Sequence, residues 1–146
     1  MTGEQDFTRV IGRALPYDGP HTPGTVQDAA AGISALVRYL NNATSKRGTF
    51  DYVSDIYPVL TALEAAAYGL DQLLIQLGEK FTEYSDDPAL YDDRDKDNRH
   101  AAELTATEAA AGCAQARRGA FELSEALSKA AGAAGHLGQN VTGRQR

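Results

Sequence analysis

The feature that most constrains this chain is a long helical repeat of apolar residues in its middle third. Ten apolar side chains follow one another at alternating steps of three and four: Val53, Ile56, Leu60, Leu63, Ala67, Leu70, Leu74, Leu77, Phe81 and Tyr84. Such steps return to the same side of an α-helix, so the pattern predicts one apolar stripe on a helix over about residues 50–84. Val59, Ala66 and Leu73 widen the stripe, which is typical of a helix that packs against two neighbours.

Pro58 stands within this stripe and lacks the amide hydrogen that a helix interior requires. Two interpretations follow from its position. Either the helix kinks at Pro58, or it begins nearby, with Ser54 as the N-cap and Pro58 in the first turn. The sequence leaves both interpretations open.

Two further segments carry the same spacing. Apolar residues from Val26 to Leu40 predict a helix over about residues 25–43, with Thr25 and Asp28 as its capping box. A third helix is predicted over about residues 96–137, and its first half is rich in small residues. Its seam is Ala102, Ala106, Ala109, Cys113, Ala116, Ala120, Leu123, Leu127, Ala130, Ala134 and Leu137. Small side chains allow the axes of two packed helices to approach closely.

The N-terminal region predicts a fourth, shorter helix. Residues 4–15 place Phe7, Val10 and Ile11 on one helical face, and the Pro/Gly-rich segment 16–24 interrupts regular structure after them. We therefore expect an all-α, elongated antiparallel bundle of three long helices plus this short one. A single domain would span residues 1–146, with residues 1–24 as an arm and 138–146 as a flexible tail.

The unequal helix lengths predict self-association. The third helix would be about 60 Å long, against about 45 Å and 28 Å for the other two, so part of it would lack cover. A second copy would bury that part, and we expect a homodimer or a complex with another protein. The interface candidates are Ala109, Cys113, Ala116, Ala120 and Phe121.

Composition narrows the classes of function. Hydrophobic residues make up 42% of the 146 residues and charged ones 23%, which is typical of a globular domain. The net charge of −6 disfavours nucleic-acid binding through a basic surface. The N-terminus lacks the features of a signal peptide, and no apolar run is long enough for a membrane span. We expect a soluble, cytoplasmic protein without membrane contact.

No pattern predicts a cofactor, a metal or a catalytic site. Starting at Asp93, carboxylates fall at positions 1, 3 and 5 of an EF-hand loop, but Asn98 replaces the glycine and Leu104 the bidentate glutamate. This acidic stretch is therefore interpreted as a solvated turn. The three histidines have no helical partner at metal-ligand spacing, and Cys113 is interpreted as a small apolar residue. We expect no enzyme and no small-molecule substrate.

Two alternative functions remain. Two basic pairs, Lys46 with Arg47 and Arg117 with Arg118, are candidates for nucleic-acid contact in a regulator of a mobile element. Tyr91 and Asp95 match the YxxxD pattern after the helical hairpin of the secreted WXG100 family, although the chain has no tryptophan. That similarity would imply a secreted helical hairpin protein.

Three segments carry a further resemblance: ISALVRYLNNAT at 33–44, DIYPVL at 55–60 and LDQLLIQL at 70–77. They resemble a group of small uncharacterised all-helical proteins of actinobacteria that often accompany mobile or conjugative elements. The resemblance spans roughly residues 30–80. It implies a cytoplasmic helical protein and no particular activity. The function that we expect is a non-enzymatic scaffold or adaptor.

Overall fold

A computed structural model describes residues 6–139 of the chain, and every regular element within that range is helical. The elements are α1 (Phe7–Ala14), α2 (Pro23–Thr44), a 3-10 turn (Val53–Asp55), α3 (Ile56–Ser85) and α4 (Arg99–Ala134). The predicted all-α class is confirmed. The first residues of the predicted N-terminal helix, 4 and 5, and residues 140–146 of the predicted tail lie outside the described range.

The chain divides into two compact units, one ending at Thr49 and the other beginning at Phe50. In the first unit, Thr22 is the N-cap of α2, and its hydroxyl accepts a hydrogen bond from the Thr25 amide at 3.2 Å. The Thr25 hydroxyl in turn accepts from the Thr22 amide at 2.9 Å. The predicted capping box of Thr25 and Asp28 is therefore wrong, because Pro23 occupies the first turn and the helix starts earlier.

Helix α3 begins within the second unit at a hydrogen-bonded turn. The Asp55 carboxylate accepts from the backbone amides of Asp51 and Tyr52 at 3.0 and 2.8 Å, just before Ile56 starts the helix. Pro58 is the third residue of α3, where its missing amide hydrogen removes no helical bond. The helix therefore begins near Pro58, as the second interpretation has it. Ser54, however, lies in the 3-10 turn and is not the N-cap.

Helix α4 is shorter at both ends than predicted. Asn98 is its N-cap and accepts from the Ala101 amide at 3.2 Å, so the helix starts at Arg99 rather than near residue 96. It ends at Ala134, and Gly135 follows as the C-cap. Leu137, the last residue of the predicted seam, therefore lies outside the helix.

Helices α3 and α4 pack against each other in opposite directions. The Arg117 guanidinium donates to the Asp71 carboxylate at 2.7 Å, and a Cβ placed on Gly78 would lie 3.5 Å from Cys113 Cβ. At the far end, the Val53 amide donates to Gln139 Oε1 at 2.9 Å. Early residues of one helix thus meet late residues of the other, and the pair is an antiparallel hairpin.

The core of this hairpin consists of small side chains. Among the described residues, the buried apolar ones are all alanines: Ala67, Ala102, Ala106, Ala120 and Ala131. Ser124 is buried beside them, and its hydroxyl donates to the Phe121 carbonyl at 2.8 Å. Small side chains were predicted to let two helix axes approach closely. The two helices that do so are α3 and α4.

The buried face of α4 shifts by one residue along the helix. Ala102, Ala106 and Ala120 are buried as predicted, but Ser124 and Ala131 are buried where the seam predicted Leu123 and Ala130. A strict seven-residue repeat drifts by about 20° per heptad on a straight helix. Over four heptads the drift approaches the 100° between neighbouring residues, so the prediction fails toward the C-terminal end.

Candidate functional site

The most distinctive surface of the second unit is an apolar face of the α3–α4 hairpin. Three residues of α3, Tyr57, Asp71 and Gly78, lie seven or fourteen positions apart in the sequence and contact α4. Gly78 meets Cys113, Asp71 meets Arg117, and the ring of Tyr57 would lie 3.4 Å from a Cβ on Gly135. The row 57, 64, 71, 78 and 85, together with the buried Ala67 beside it, therefore marks the side of α3 that faces α4.

One position before each of these residues, α3 carries a large apolar side chain. We call this row the leucine stripe: Ile56, Leu63, Leu70, Leu77 and Tyr84. Leu63 and Leu70 are half-buried, whereas Ile56, Leu77 and Tyr84 are exposed. The leucine stripe therefore borders the side that packs on α4, where Ala67 is buried, and α4 leaves its outer residues uncovered.

Helix α4 repeats this arrangement with smaller residues. Ala110, Arg117, Ser124 and Ala131 lie on the side that faces α3. One position before each is a row that we call the alanine stripe: Ala109, Ala116, Leu123 and Ala130. Ala116 and Ala130 are exposed, Ala109 is half-buried, and Leu123 is 51% exposed.

The two stripes lie on the same side of the hairpin. A step back of one residue turns about 100° around a helix axis. Because α3 and α4 run in opposite directions and face each other, that step turns both helices toward one side. We call the combined surface of the leucine and alanine stripes the open face. None of its nine positions carries a charged side chain.

The five predicted interface residues divide among three sides of α4. Ala109 and Ala116 belong to the open face. Cys113 meets Gly78 of α3, and Ala120, 7% exposed, lies on the same α3-facing side. Phe121 is exposed and lies outside the open face, beside Arg117 and Arg118.

The two predicted basic pairs belong to different units. Lys46 and Arg47 are exposed in the turn that follows α2. The Arg117 guanidinium forms an ion pair with the Asp71 carboxylate of α3, so it takes part in a contact within the hairpin. Arg118 is exposed and, with Phe121 and Glu122, lines a surface groove of about 410 Å³ on α4.

The acidic connector between α3 and α4 holds a polar cluster that the sequence analysis missed. Asp92 is 6% exposed and accepts hydrogen bonds from Arg94 Nε at 2.9 Å and from the Thr105 hydroxyl at 2.5 Å. Hydrogen bonds from the Arg94 guanidinium, then from Thr105 and the Arg94 amide, hold the pKa of Asp92 well below its usual range. The predicted solvated turn is therefore wrong for Asp92. Asp93, in contrast, is exposed, which agrees with the predicted solvated turn.

The connector is attached to both helices. The Arg99 guanidinium, in the first turn of α4, donates to the carbonyls of Ser85, Asp87 and Leu90. Tyr91 of the YxxxD pattern is exposed, and the Lys96 ammonium lies 5.6 Å from the centroid of its ring. The contacts of Arg99 hold the connector against both helices at this end of the hairpin. The one sequence signal for the Asp92–Arg94 pair is that an acidic and a basic residue lie two positions apart.

The first unit contains an apolar groove of its own. It has a volume of about 750 Å³ and lies between α1 and α2, and its lining residues are Phe7, Ile11, Ala35, Leu36, Tyr39 and Leu40. Phe7 and Ile11 were predicted to share a helical face, and the groove shows that this face is turned toward α2. The groove contains no charged lining residue.

Within residues 6–139, no group of three or more histidine, cysteine, aspartate or glutamate side chains is arranged to hold a metal ion. No helix in that range combines the length and the apolar composition that a membrane span requires. The open face offers apolar contact area and no converging polar groups, so the chemistry that it supports is hydrophobic packing. Comparisons with protein family models, curated proteins and solved structures found no match to this chain.

Proposed function

We propose that this protein is a non-catalytic scaffold or adaptor that acts by packing its helices against a second copy or another protein. The observation that carries the proposal is the open face of the hairpin. Large apolar side chains such as Leu77 of α3 and Leu123 of α4 are about half-exposed there, and the leucine stripe continues over the length of α3. Contiguous apolar patches on a soluble domain commonly mark interaction sites.

The physical basis of the proposal is the free energy of burying this face. Apolar surface contributes about 25 cal/mol per Å² when it leaves water. Leu123, Ile56 and Leu77 retain 51%, 37% and 42% of their accessible surface, so a covering helix would remove considerable apolar area from water. The face has no charged residue whose desolvation would oppose that contact.

The proposal includes the finer architecture and setting predicted from the sequence. It takes the three long helices as one elongated antiparallel bundle in a single domain, and the protein as cytoplasmic. The proposal also keeps the resemblance to small helical proteins of actinobacteria, which implies a cytoplasmic helical protein and no particular activity. The interface residues Ala109 and Ala116 are those of the predicted set that lie on the open face.

A photo-crosslinking amino acid in the full chain tests this function in cells. It is placed at Leu123 on the open face and, as the matched control, at Leu104, another leucine of α4 that is 52% exposed but lies off that face. We expect covalent adducts with protein at position 123 and few at position 104. Equal adduct yields at the two positions, or none at either, would contradict the proposal.

The exposed basic side chains of Lys46, Arg47 and Arg118 favour a second candidate, a nucleic-acid-associated regulator. Phosphate neutralisation by such residues makes the affinity fall steeply with salt concentration. Titration of random duplex DNA at low and moderate salt tests this candidate. Binding that weakens with salt and is reduced in Lys46→Ala/Arg47→Ala would support it, and absence of binding at low salt would remove it.

A further inference from the structure

We propose that the open face of the hairpin packs against the open face of a second copy and so forms a four-helix bundle. This inference rests on the proposed function and specifies its self-association: the occupant is another molecule of the same chain. Three properties of the face support it, namely the sizes of its side chains, its area and the absence of charge. Each concerns only α3 and α4.

The first property is the complementarity of the two stripes. On α3 the five positions carry Ile56, Leu63, Leu70, Leu77 and Tyr84, whereas three of the four positions on α4 are alanine. A twofold axis parallel to the helices would place α3 of one copy over α4 of the other. The large residues of each leucine stripe then lie on the small residues of the partner's alanine stripe. The two α3–α4 contacts between the copies are equivalent by symmetry.

This arrangement is also compatible with the directions in which the helices run. Rotation about an axis parallel to the helices leaves the direction of each helix unchanged. Because α3 and α4 of one chain are antiparallel, α3 is also antiparallel to α4 of the second copy. All four neighbouring pairs are then antiparallel, which is the arrangement of an up-and-down four-helix bundle.

The second property is the area of the face. The 30 residues of α3 give a length of about 45 Å, and two adjacent helices of about 10 Å diameter give a width of about 20 Å. The side of the hairpin that carries the open face therefore measures about 900 Å² in outline on each copy, close to the roughly 800 Å² per partner of a specific, stable interface. A side of this size is large enough for a dimer interface.

The third property concerns charge. The segment 50–146 contains 16 acidic and 9 basic side chains, so two copies carry like net charge, while the open face itself carries none. Apolar contact would thus hold the copies together against a repulsion that salt screens. Association through this face should strengthen as salt concentration rises, whereas association by ion pairs would weaken.

The mass of the full chain in solution tests the inference with a matched pair of variants. Light scattering should give twice 15.6 kDa for the wild type and for Leu104→Glu, and 15.6 kDa for Leu123→Glu. The dissociation constant of the Leu123→Glu dimer should rise at least about tenfold, as expected for an interface residue at the centre of the contact. Circular dichroism verifies that each variant is folded.

A second variant keeps the test decisive if Leu123→Glu does not fold. Ala116→Glu places a charge on the exposed alanine stripe and should also reduce the mass to 15.6 kDa. A wild type that is monomeric at high protein concentration and high salt would overturn the inference, since a second copy would then not cover the face. A dimer that survives both substitutions would overturn it as well.

Disulfide formation between copies tests which stripe meets which. Leu77→Cys and Ala116→Cys are made in separate chains that both carry Cys113→Ala, and the two are mixed and oxidised. The proposed pairing predicts that the mixed disulfide exceeds either disulfide between identical variants. A predominance of Leu77→Cys linked to itself would mean that leucine stripes face each other, and would overturn the proposed pairing.

These outcomes are distinguishable from failure of the proposed function. Photo-adducts with other proteins at Leu123, together with a monomeric mass, would retain the scaffold function and overturn the second copy as the occupant. Absence of adducts at Leu123 together with a monomeric mass would contradict both.

Discussion

Helices α3 and α4 pack against each other but differ in the size of their apolar side chains. The only buried apolar residue of α3 is Ala67, although this helix carries the longest row of leucines in the chain. Helix α4 is rich in alanine and contributes Ala102, Ala106, Ala120 and Ala131 to the core. The large residues thus lie at the edge of the contact and the small ones at its centre.

The difference shows that helix proximity, and not hydrophobicity, selects the core residues of this pair. Two helices approach closely only where small side chains separate their axes, and large residues must then point to the flank. A flank of large residues on α3 beside a flank of small residues on α4 creates the open face. The following predictions test that division of roles, beginning with the largest expected effect.

Leu74→Asp should have the largest effect on stability. Leu74 is half-buried between the α4-facing side of α3 and the leucine stripe, so the substitution places a charge in an apolar setting. We expect a loss of about 3–4 kcal/mol in the free energy of unfolding, and Leu70→Asp should behave similarly. Thermal or urea denaturation measures it. Leu104→Asp, on an exposed leucine, is the control, and an equal loss there would contradict the division between faces.

Substitution of two alanines by leucine should separate the two sides of α4. Ala120 is buried on the side that faces α3, so Ala120→Leu overpacks the contact and should cost about 1–3 kcal/mol. Ala116 is exposed one turn earlier in the single chain, so Ala116→Leu should leave the free energy of unfolding nearly unchanged when it is measured at protein concentrations low enough to keep the chain monomeric. Urea denaturation compares them. Equal values for the two variants would mean that the buried face has been misassigned.

The buried carboxylate of Asp92 should make the hairpin sensitive to acid. Because Arg94 and Thr105 lower the pKa of Asp92 in the folded state, its ionised form stabilises the fold above the ordinary aspartate pKa of about 4. That contribution is lost as the pH falls below this value. Asp92→Asn should therefore lower the melting temperature at pH 7, and its difference from the wild type should shrink toward pH 2.

The exposed neighbour provides the control for this pH dependence. Asp93→Asn should leave the melting temperature at pH 7 unchanged, because Asp93 is exposed. If the two variants show the same melting temperatures between pH 7 and pH 2, the closure of the connector by Asp92 contributes nothing to stability.

Gly119→Ala should have the smallest effect and the opposite sign. A Cβ at Gly119 meets no atom within 4 Å, so the helix can accept it without rearrangement. Alanine is favoured over glycine inside a helix, and we expect a gain of about 0.5–1 kcal/mol in the free energy of unfolding. A loss of stability would show that the side of α4 that carries Gly119 is also in contact with another helix.

Much of the local structure could be predicted from the sequence. Apolar spacing identified four helical segments, because this signal acts within one or two turns, whereas Pro58 left open whether α3 kinks or begins there. The predicted helix ends differ from the observed ones by one to six residues, and the largest difference is the start of α3, at Ile56 instead of about residue 50. A helix start depends on which of several polar residues first binds the helix amides. Thr22 took that role instead of Thr25, and Asn98 set the start of α4 three residues later than predicted.

The candidate site was predicted only in part. The small residues of α4 pointed to close packing, but which small residues face α3 depends on the accumulated drift of a 3.6-residue helix against a seven-residue repeat. For this reason Leu123 is exposed where it was predicted to be in the seam. The burial of Asp92 was missed, because its partner Thr105 is 13 residues away and the two meet only when the connector folds against the first two turns of α4.

By itself, the sequence of this protein determined the helical class, the approximate length of each helix and the presence of an apolar row on each. These properties follow from interactions between residues three or four positions apart. Only the tertiary structure decided which row α3 presents to α4 and which it leaves open. That choice depends on how near the two axes come to each other, and this distance is set jointly by side chains that lie far apart in the chain.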